Sequence, residues 1–553
     1  MCGIFSIINH KADNLSEDVV NQSFQCGQSR GPEFSKIVYY DKWKSVIGHH
    51  RLAINGLNEV SNQPMIIGDI CLICNGEIYN YKQLYKMMDI TPTTQSDCEV
   101  IIHLYKRYGI EQTLRMLDGV FAFVLYSDKH IIIARDPYGV RPLYYLDDHK
   151  TNTYMVASEL KSLIGLSQHT KTHVCQFKPG TYAIINIRRA TFDISDGNME
   201  LLFGKPSYVK YHTLNSNIRS VSYTEKEYEN KLEDIYETLK LAVYKRCEAT
   251  ERPIACLLSG GLDSSLIASL VNMYMKEHEK PPVETYSIGL SNSEDIKYAR
   301  IVAEYIGSNH TEVIVTEEDM FQSISEVIYS IESYDTTTVR ASIGNYLIGK
   351  YINQNSQAKV IFNGDGSDEL CGGYLYMSKC PDDIEFDKET LRLLSEIYLF
   401  DVQRSDRSIS SNGLEPRTPF LDKHFVNTYL SIPIHHRRHP TIEKFMLREA
   451  FSGKHVLPDE ILWRKKEAFS DGVSNHGRSL FQIIQEKVSQ LYDEYRDTDV
   501  KPIDLEKQYY YTLFSKYYPL HNEILPHYWM PKYTNAIDPS ARTLEHYNIK
   551  QME

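Results

Sequence analysis

Apolar and polar positions in roughly the first two hundred residues alternate over short distances, with turn-forming clusters between them. Two helices are predicted in this part, one over 81–88 and one from about Asp97 to Tyr108 with Ser96 as its N-cap. Many short strands with few helices predict two packed sheets with helical cover, an α+β arrangement. The strands are predicted from runs of β-forming residues at 36–40, 70–74, 120–126 and 130–134.

The pattern changes near residue 226, where apolar strands and amphipathic helices begin to alternate. A helix is predicted at 226–244, followed by strands and helices in turn. This alternation predicts a doubly wound parallel sheet of the α/β class, with ligands at the carboxyl ends of its strands. Strands are predicted at 254–258, 283–289, 312–315 and 359–362, with helices at 266–275 and 295–306.

The length of 553 residues exceeds what one hydrophobic core serves, so at least two domains are expected. Turn-forming residues cluster at 193–198 and 215–217, where the periodic pattern loosens. We therefore place the domain boundary in this region. The predicted parts are a first domain at 1–205, a linker at 206–225, a second domain at 226–535 and a polar tail at 536–553.

The formal net charge of −13 disfavours nucleic acid or an anionic membrane surface as the main partner. No apolar run has the length of a membrane span, and the N-terminus lacks the basic leader of a secretory signal. Ten cysteines are too sparse for a disulfide scaffold. Cys71 and Cys74 lie in an apolar run that is more typical of a buried strand than of a zinc site. These features predict a cytoplasmic protein.

The chain begins Met1-Cys2-Gly3-Ile4-Phe5, which is more apolar than most chain ends. One explanation is a β-strand that begins early, with a small residue at its tip. The other is chemical, because removal of Met1 would give Cys2 a free α-amino group beside its thiol. One residue would then hold a nucleophile and its base. The position alone does not decide between the two.

Several polar residues stand near predicted strand ends, in types that suit a thiolate attacking an amide. A turn at Asn75-Gly76 can donate hydrogen bonds to a tetrahedral oxyanion. Arg51 suits the α-carboxylate of glutamine, and Glu77 or Asp97 suits its α-ammonium group. Taken singly, each residue also has an ordinary explanation as a surface ion pair, a hairpin turn or a helix cap.

Taken together, the motifs of this part resemble the glutaminase domain of class II glutamine amidotransferases. The resemblance implies an N-terminal nucleophile (Ntn) αββα sandwich with Cys2 as the nucleophile and with Asn75 and Gly76 as the oxyanion hole. Glu33 is a departure, because the family usually has aspartate there. The motifs are Cys2-Gly3-Ile4-Phe5, Arg30-Gly31-Pro32, Gly48-His49-His50-Arg51-Leu52-Ala53-Ile54, Asn75-Gly76-Glu77-Ile78-Tyr79-Asn80, Ser96-Asp97-Cys98-Glu99, Asp118-Gly119-Val120-Phe121-Ala122 and Ala134-Arg135-Asp136-Pro137-Tyr138-Gly139-Val140-Arg141-Pro142-Leu143-Tyr144. The implied glutamine-binding residues are Arg51, Leu52, Ala53, Ile54, Asn55, Asn75, Gly76, Glu77 and Asp97.

The predicted strand at 254–258 runs into Ser259-Gly260-Gly261-Leu262-Asp263-Ser264-Ser265, and a helix follows. The backbone amides and helix N-terminus of such a loop attract phosphate, and the three serines add hydroxyl donors. Asp263 suits a magnesium ligand beside phosphates. The loop lacks the lysine of the Walker pattern. It resembles the pyrophosphate loop of ATP pyrophosphatases, which have an adenine nucleotide α-hydrolase-like fold and transfer AMP.

Further motifs extend the resemblance to the glutamine-hydrolysing asparagine synthetase family, over nearly the whole chain. The resemblance implies a ligase that uses glutamine, aspartate and ATP with Mg²⁺, and that forms asparagine, AMP and pyrophosphate through β-aspartyl-AMP. The motifs lie at 334–342, 363–374, 415–422 and 463–472. The implied ATP and pyrophosphate site comprises Leu258, Ser259, Gly260, Gly261, Asp263, Ser264, Ser265, Ile288, Asn363 and Gly364.

The same resemblance assigns the remaining roles of the second domain. It implies Asp365 and Lys466 as catalytic residues, and Arg340 as an aspartate-binding residue. It also implies Asp263 and Asp368 as magnesium ligands. Asp365 departs from the family pattern, which usually has glutamate. Because a catalytic carboxylate that is one methylene shorter is displaced, we expect activity at a reduced rate.

Alternatives remain open. A β-lactam-forming or other acyl-adenylate-forming relative activates an acid, but the β-lactam-forming enzymes need no ammonia and usually lack the cysteine, so Cys2 argues against them. A phosphoribosyl amidotransferase would share only the first domain, and the loop at 259–265 excludes it. A catalytically silent family member would bind glutamine without hydrolysing it, and Glu33 and Asp365 favour that alternative. The sequence leaves the oligomeric state open, a homodimer included.

Overall fold

The structure is a computed structural model, and it describes residues 1–10, 15–191, 199–216, 222–291, 293–466, 472–474, 478–492 and 501–544. The predicted turn at 193–198 and residue 217 of the second turn cluster lie outside the described residues. The chain divides into two compact units. The first comprises Met1–Thr213 with Tyr518–Ile524, and the second comprises Leu214–Tyr517 with Leu525–Glu553.

Within the described residues, the first unit consists of antiparallel strands and four α-helices. The strands are β1 (Gly3–Ile8), β2 (Phe34–Tyr40), β3 (Ser45–Arg51), β4 (Met65–Ile67), β5 (Ile70–Ile78), β6 (Gly119–Tyr126), β7 (His130–Arg135), β8 (Tyr144–Asp148), β9 (Thr153–Ala157), β10 (Cys175–Gln176), β11 (Thr181–Thr191), β12 (Met199–Phe203) and β13 (Ser207–Lys210). The helices are α1 (Glu17–Gln25), α2 (Tyr81–Met88), α3 (Val100–Met116) and α4 (Lys161–Thr170).

The strands form two sheets that pack face to face. One sheet has the order β10-β8-β9-β1-β3-β2, and the other has the order β12-β11-β7-β6-β5-β4, with β13 paired to β11. Ile4 of β1 and Ile73 of β5 belong to one buried cluster between the sheets. Leu84 of α2 packs on the far face of the second sheet. On the first sheet the ring of Phe24 in α1 lies 5.8 Å from that of Phe5. The layers therefore form the αββα sandwich that the sequence predicts.

Two predicted boundaries in this unit differ from the structure. The helix predicted from Asp97 begins as a 3-10 turn at Asp97–Glu99, capped by Ser96, and continues as α3 to Met116. Strand β13 lies inside the predicted linker at 206–225. All four of its residues are exposed, and its backbone pairs with β11 in a register that includes Thr181 and Lys210.

A parallel sheet forms the centre of the second unit. Its strands are β14 (Ile254–Leu257), β15 (Glu284–Gly289), β16 (Asn309–Ile314), β17 (Val360–Phe362) and β18 (Glu415–Arg417). They are arranged in the order β16-β15-β14-β17-β18, and every neighbouring pair is parallel. The order runs outward from β14 in both directions, so the predicted doubly wound sheet is confirmed. Its topological switch point lies between β14 and β17, where such sheets bind ligands.

Helices surround this sheet, and none of the helices in the described ranges is long and apolar enough to cross a membrane. Those before β18 are α5 (Glu225–Glu248), α6 (Leu262–Glu277), α7 (Glu294–Ile306), α8 (Glu317–Gln322), α9 (Ile324–Ile331), α10 (Thr336–Asn355), α11 (Ser367–Cys371), α12 (Asp383–Glu396) and α13 (Asp401–Ser410). Those after it are α14 (Lys423–Leu430), α15 (Ile434–Arg437), α16 (Phe445–Phe451), α17 (Asp459–Leu462), α18 (Leu480–Leu491) and α19 (Pro502–Tyr517).

Arg340 of α10 joins a buried ionic cluster with the last part of the chain. Its guanidinium pairs with Glu506 of α19 at 2.6 Å and with Asp538 at 2.8 Å. Gln485 Nε2 donates to both carboxylates, at 3.0 and 2.9 Å. The predicted polar tail at 536–553 therefore differs from the structure at Asp538, which is buried and paired. Residues 545–553 lie outside the described residues.

The substitution Arg340→Met should destabilise the second unit. It removes the cation and leaves two buried carboxylates without a counter-charge, a loss of about 3–5 kcal/mol for a broken buried pair. Urea unfolding followed by tryptophan fluorescence would show it as a lower midpoint. Arg300→Met, which removes the exposed Arg300–Glu312 pair, is the matched control and should leave the midpoint nearly unchanged. Equal midpoints for the two variants would show that the buried cluster does not stabilise the fold.

Candidate active sites

The first candidate site surrounds Cys2, just before β1. The backbone N–H of Cys2 donates to Asn75 Oδ1 at 3.1 Å, and Arg30 Nε donates to the Cys2 carbonyl at 3.0 Å. Arg30 is itself fixed by an ion pair with Glu159 at 3.2 Å, and both of these side chains are fully buried. Met1 is only 1% exposed, so its removal would open a space beside the Cys2 nitrogen.

Asn75 of β5 carries a donor that the fold does not use. Its Nδ2 atom is buried and has no hydrogen-bond partner among the described residues, whereas Oδ1 of the same amide faces the Cys2 nitrogen. A buried donor without a partner is costly, so such groups call for an explanation. An oxyanion formed next to the Cys2 thiol would accept from this N–H group. Gly76, the other predicted member of the oxyanion hole, follows directly in β5.

Arg51 ends β3 and is held by the loop that follows it. Its terminal nitrogens donate to the carbonyls of Asn55 and Asn58, at 3.0 and 3.1 Å, and to Asn62 Oδ1 at 2.7 Å. Asn55 Nδ2 in turn donates to Glu77 Oε2 at 2.8 Å. The structure thus joins Arg51, Asn55 and Glu77, which are predicted to bind glutamine, in one polar network.

Asp97 and the segment 52–54 complete the predicted glutamine-binding set. Asp97 is buried, and its Oδ2 accepts from the backbone N–H of Ile78 at 2.7 Å, at the end of β5. Leu52, Ala53 and Ile54 are buried, and the Leu52 carbonyl lies 3.8 Å from Cys2 Sγ. These residues therefore lie along the two strand ends that flank Cys2 and Asn75.

Glu33, where the family usually has aspartate, has a defined partner in this structure. Its Oε2 accepts from the backbone N–H of Ala53 at 2.8 Å. Its own backbone N–H donates to the Arg51 carbonyl at 3.1 Å. The longer carboxylate therefore anchors the segment beside Cys2.

Two buried histidines of β3 lie near this site. His50 stacks on Phe24 with ring centroids 3.9 Å apart, and its ring nitrogens contact Ser35 Oγ at 2.7 Å and the Phe24 carbonyl at 2.9 Å. His49 Nε2 lies 3.3 Å from the Cys74 carbonyl. Burial lowers the pKa of His49 to about 3, so it is neutral in the folded chain at ordinary pH.

The second candidate site is a cavity of about 210 Å³ at the carboxyl end of the parallel sheet. The loops after β14, β15 and β17 contribute to its lining, as expected at a topological switch point. The predicted residues that line it are Leu258, Ser259, Gly261, Asp263, Ser264, Ile288, Asn363, Gly364, Asp365, Asp368 and Lys466.

Three predicted residues lie outside this lining. Gly260 has a φ of +70° and forms the turn behind the loop. Ser265 is buried in α6. Arg340 belongs to the ionic cluster described above, where Glu506 and Asp538 take its guanidinium. The structure therefore does not bring Arg340 to the cavity, and its prediction as an aspartate-binding residue is corrected.

Two carboxylates and two lysines meet at one wall of the cavity. Lys444 Nζ lies 2.6 Å from both Asp263 Oδ2 and Asp368 Oδ1, and Lys466 Nζ lies 2.6 Å from Asp368 Oδ2. Burial disfavours the charge of Asp368, but the two lysines outweigh it and hold the pKa of that carboxyl well below its usual range. Burial likewise opposes the charge of Lys444, and attraction to Asp263 and Asp368 raises its pKa. Asp368 and Lys444 are therefore both charged.

The loops after β14 and β17 touch each other at this wall. Ser367 Oγ donates to Asp263 Oδ1 at 2.8 Å. A Cβ atom at Gly364 would lie 2.7 Å from the Asp263 Cβ and 2.8 Å from the Ser264 nitrogen. Only glycine allows this approach, which brings Asp263 and Asp368 together.

The opposite side of the cavity is more acidic. Arg404 of α13 pairs with both Asp365 and Asp401 at 3.0 Å. Burial opposes the charge of Arg404, but attraction to Asp401 and then Asp365 raises its pKa. The Tyr374 hydroxyl donates to Glu369, and burial together with Asp401 and Asp368 raises the pKa of the Glu369 carboxyl. This wall therefore offers a fixed guanidinium, a carboxylate beside it and a carboxyl that takes up a proton readily.

Comparison with known proteins shows what these two sites belong to. A family model described as a glutamine amidotransferase domain matches residues 1–196, and one described as asparagine synthase matches residues 234–384 and 378–531. Asparagine synthetase [glutamine-hydrolyzing] of Gallus gallus is 41% identical over 586 residues, with 99% of each chain covered. That of Homo sapiens is 40% identical over 573 residues, with the same coverage. The chain belongs to the glutamine-hydrolysing asparagine synthetase family.

Several charged residues that line the synthetase cavity were not predicted from the sequence, among them Lys444, Asp401 and Arg404. Lys444 lies between Glu443 and Phe445 in a segment without a recognisable motif, so no local pattern identifies it. Asp401 and Arg404 begin a helix in which nearly every position is buried despite its charged composition. A polar sequence gives no sign that its helix is buried, so only the folded structure identifies these two residues. Residues 467–471 of the motif around Lys466 lie outside the described residues.

His49 predicts a measurable pH dependence of stability. Its pKa is about 3 in the folded chain against an ordinary value of 6.5, so below pH 6.5 the unfolded chain binds a proton that the folded chain does not. Stability should therefore fall as the pH falls from about 6.5 toward 3, by roughly 2 kcal/mol at about pH 5. His49→Gln should flatten this dependence in urea midpoints measured across the range. His149→Gln, at an exposed position, is the control and should keep the wild-type slope. An unchanged slope in His49→Gln would contradict the assignment.

Proposed function

We propose that this chain makes asparagine from aspartate and ATP, with ammonia that it releases from glutamine. The observation that carries the proposal is the presence of two complementary sites in one family member. One site has a thiol beside an unpartnered buried amide donor, and the other has a charged wall suited to a nucleotide triphosphate. Neither site alone would account for the use of both glutamine and ATP.

The glutaminase half begins with removal of Met1. The α-amino group of Cys2 takes the thiol proton, and the thiolate attacks the side-chain amide carbon of glutamine. Asn75 Nδ2 donates to the oxyanion, which lowers the barrier to the tetrahedral intermediate. The carbon–nitrogen bond breaks, ammonia leaves with the transferred proton, and water then hydrolyses the thioester to glutamate. Arg51 and Glu77 would hold the two charged groups at the other end of the substrate.

The synthetase half activates aspartate. A β-carboxylate oxygen attacks the α-phosphorus of ATP, and the bond to pyrophosphate breaks. Lys466 and Lys444 would offset the charge that collects on the phosphates, while backbone amides and the hydroxyls of Ser259 and Ser264 bind their oxygens. Ammonia then attacks the acyl carbon of β-aspartyl-AMP. Asparagine forms and AMP leaves.

Asp263 and Asp368 fit the Mg²⁺ that this chemistry implies. Both contact the ammonium group of Lys444 at 2.6 Å, so the two carboxylates reach a common point. One or two carboxylates together with phosphate oxygens are the ligands that protein-bound Mg²⁺ prefers. When bound, the ion would supply neutralisation of phosphate charge. The lysines hold the same carboxylates in position.

We place the aspartate substrate at the wall of Arg404 and Asp401, in the role first predicted for Arg340. A guanidinium suits the α-carboxylate, and a carboxylate beside it suits the α-ammonium group. Asp365 pairs with that same guanidinium, so its shorter side chain still joins the network on this side of the cavity. This supports an active enzyme rather than a silent one.

The proposal includes the setting of the enzyme. Cys2 has to remain a thiol, which a reducing compartment such as the cytoplasm provides. The net charge of −13 supports small molecules rather than nucleic acid or an anionic membrane as the partners.

A paired assay tests the proposed function. Purified protein receives MgATP and aspartate with either glutamine or ammonium, and asparagine, AMP and pyrophosphate are measured. With either nitrogen source, we expect asparagine, AMP and pyrophosphate to form in equimolar amounts. Cys2→Ala should lose the glutamine-dependent reaction by at least about a hundredfold and keep the ammonium-dependent one, because only the first needs the nucleophile. Cys175→Ala, which removes an exposed cysteine, is the control.

Other results would separate the alternatives. Glutamine binding without glutamate or AMP formation would indicate the silent family member. AMP and pyrophosphate formation without asparagine would indicate another acyl-adenylate-forming enzyme. A Cys2→Ala variant that still uses glutamine would contradict the role of Cys2.

Gly373→Ala tests the charged wall through its backbone. An alanine Cβ would lie 2.1 Å from both Asp368 Oδ1 and Lys444 Cε, so the lysine has to leave the carboxylate pair. We expect the ammonium-dependent rate to fall about a hundredfold, because a small displacement of catalytic groups has that order of cost. Gly204→Ala is the control, since the nearest atoms to its Cβ are 3.6 Å away. Wild-type activity in Gly373→Ala would show that the position of Lys444 is unimportant.

A further inference from the structure

A second cavity lies behind one wall of the synthetase cavity, within the same unit. It has a volume of about 140 Å³ and shares Tyr374, Leu375, Lys444 and Lys465 with the first cavity. Neither the family comparison nor the reaction described above assigns it a role. The two spaces are therefore neighbours with a common boundary, and the second is unexplained.

Among the charged side chains that line this second cavity, basic ones outnumber acidic ones, although Arg438 also pairs with Asp383 at 3.2 Å. Arg437, Arg438, Lys444 and Lys465 contribute four cations, and Glu443 contributes an acidic group. Glu443 is already engaged, because it pairs with Arg448 and accepts from the Lys466 N–H at 2.9 Å. The chemistry of the lining is therefore that of an anion site.

Arg437 provides an independent sign that a ligand belongs there. Its side chain is fully buried, with Nε donating to the Ile432 carbonyl at 3.0 Å and Nη2 pairing with Asp387 at 2.5 Å. Its Nη1 atom is buried and has no hydrogen-bond partner among the described residues. A buried charged donor left in this state is costly, and an anion in the cavity would satisfy it.

Lys444 connects the two cavities. It lines both, and its ammonium group reaches the carboxylates of Asp263 and Asp368 in the first. Gly373 lies beside the aliphatic part of the Lys444 side chain. An alanine Cβ at this position would lie 2.1 Å from Lys444 Cε, so only glycine leaves room for the lysine. The same cation that neutralises phosphates in the first cavity therefore forms part of the wall of the second.

We propose that the second cavity is a binding chamber for pyrophosphate, the polyphosphate anion that the synthetase reaction releases on the other side of the shared wall. The inference rests on the proposed function, which supplies that product. Lys444 and Lys465 would pass the leaving anion from one space to the other, and Arg437 and Arg438 would hold it. Because the chamber recognises charge, pyrophosphate from solution enters the same site.

Direct binding tests the chamber without turnover. The first cavity is filled with MgATP whose α,β-bridging oxygen is a methylene group, with no aspartate present, and pyrophosphate is titrated by calorimetry. We expect the wild-type protein to bind about one further equivalent, and orthophosphate to bind more weakly because it carries fewer charges. Absence of pyrophosphate binding under these conditions would overturn the proposal.

Three variants locate that binding. Arg438→Gln removes a partly exposed cation, Arg437→Gln removes the buried one, and Thr441→Trp places a bulky uncharged ring at the exposed rim of the chamber. Each should weaken pyrophosphate binding by about tenfold or more. Lys454→Gln, a cation outside both cavities, is the matched control and should bind as the wild type does. If Arg437→Gln does not fold, because Asp387 is left unpaired, the other two variants still decide the question. Wild-type affinity in the variants would overturn the proposal.

A single-turnover experiment separates this inference from the proposed function. AMP formation is followed by rapid quench and free pyrophosphate by a coupled fluorescent reporter. In Thr441→Trp the rate of pyrophosphate release should fall relative to the rate of AMP formation, whereas Lys454→Gln should keep the wild-type ratio. If wild-type protein forms no AMP, the proposed function fails whatever the binding titration shows. If AMP forms and the ratio is unchanged in Thr441→Trp, the chamber alone is wrong.

Discussion

The second unit depends on keeping two carboxylates close together at the edge of a parallel sheet. Asp263 and Asp368 come from loops that follow β14 and β17, and their mutual repulsion would separate them if no cation lay between. Lys444 supplies that cation at 2.6 Å from each, and Lys466 adds a second contact to Asp368. Lys444 is buried, and a buried charge is tolerated only when it is paired, so its two carboxylate partners keep it in place. The same arrangement leaves a charged surface ready for a triphosphate and its metal ion.

The first unit has to hold Cys2, which lies next to the N-terminus, in a fixed position. Ends of chains ordinarily fray, because only one side is anchored. Here β1 lies between β3 and β9 in the middle of a sheet, so backbone pairing on both sides holds it. Arg30 and Asn75 then hold Cys2 itself through its carbonyl and its nitrogen. A nucleophile at a terminus can therefore be as well positioned as one inside a strand.

Several arginines of the second unit are buried or nearly buried, and their guanidinium groups differ in their partners. Arg340 has both ends of its guanidinium taken by carboxylates, so it joins distant segments and has no capacity left for a substrate. Arg404 is also paired, but it lines a cavity in which a substrate can join its network. Arg404 and Arg437 each keep one buried nitrogen without a partner within the described structure, Nε in Arg404 and Nη1 in Arg437. A guanidinium that borders a cavity and keeps a nitrogen without a partner is a candidate for binding a ligand.

The sequence by itself determined the class of each unit and most of the loops that carry chemistry. Short apolar runs and alternating strand and helix patterns depend on local periodicity, and the Cys2, Ser259–Ser265 and 363–374 motifs are contiguous, so both can be recognised along the chain. Only the tertiary structure decided which separate residues meet. Lys444 lies far along the chain from Asp263, and Arg340 satisfies local motif criteria yet faces Glu506 and Asp538 instead of the cavity. Charge neutralisation between distant segments brings the residues of the site together, and no local sequence pattern reveals it.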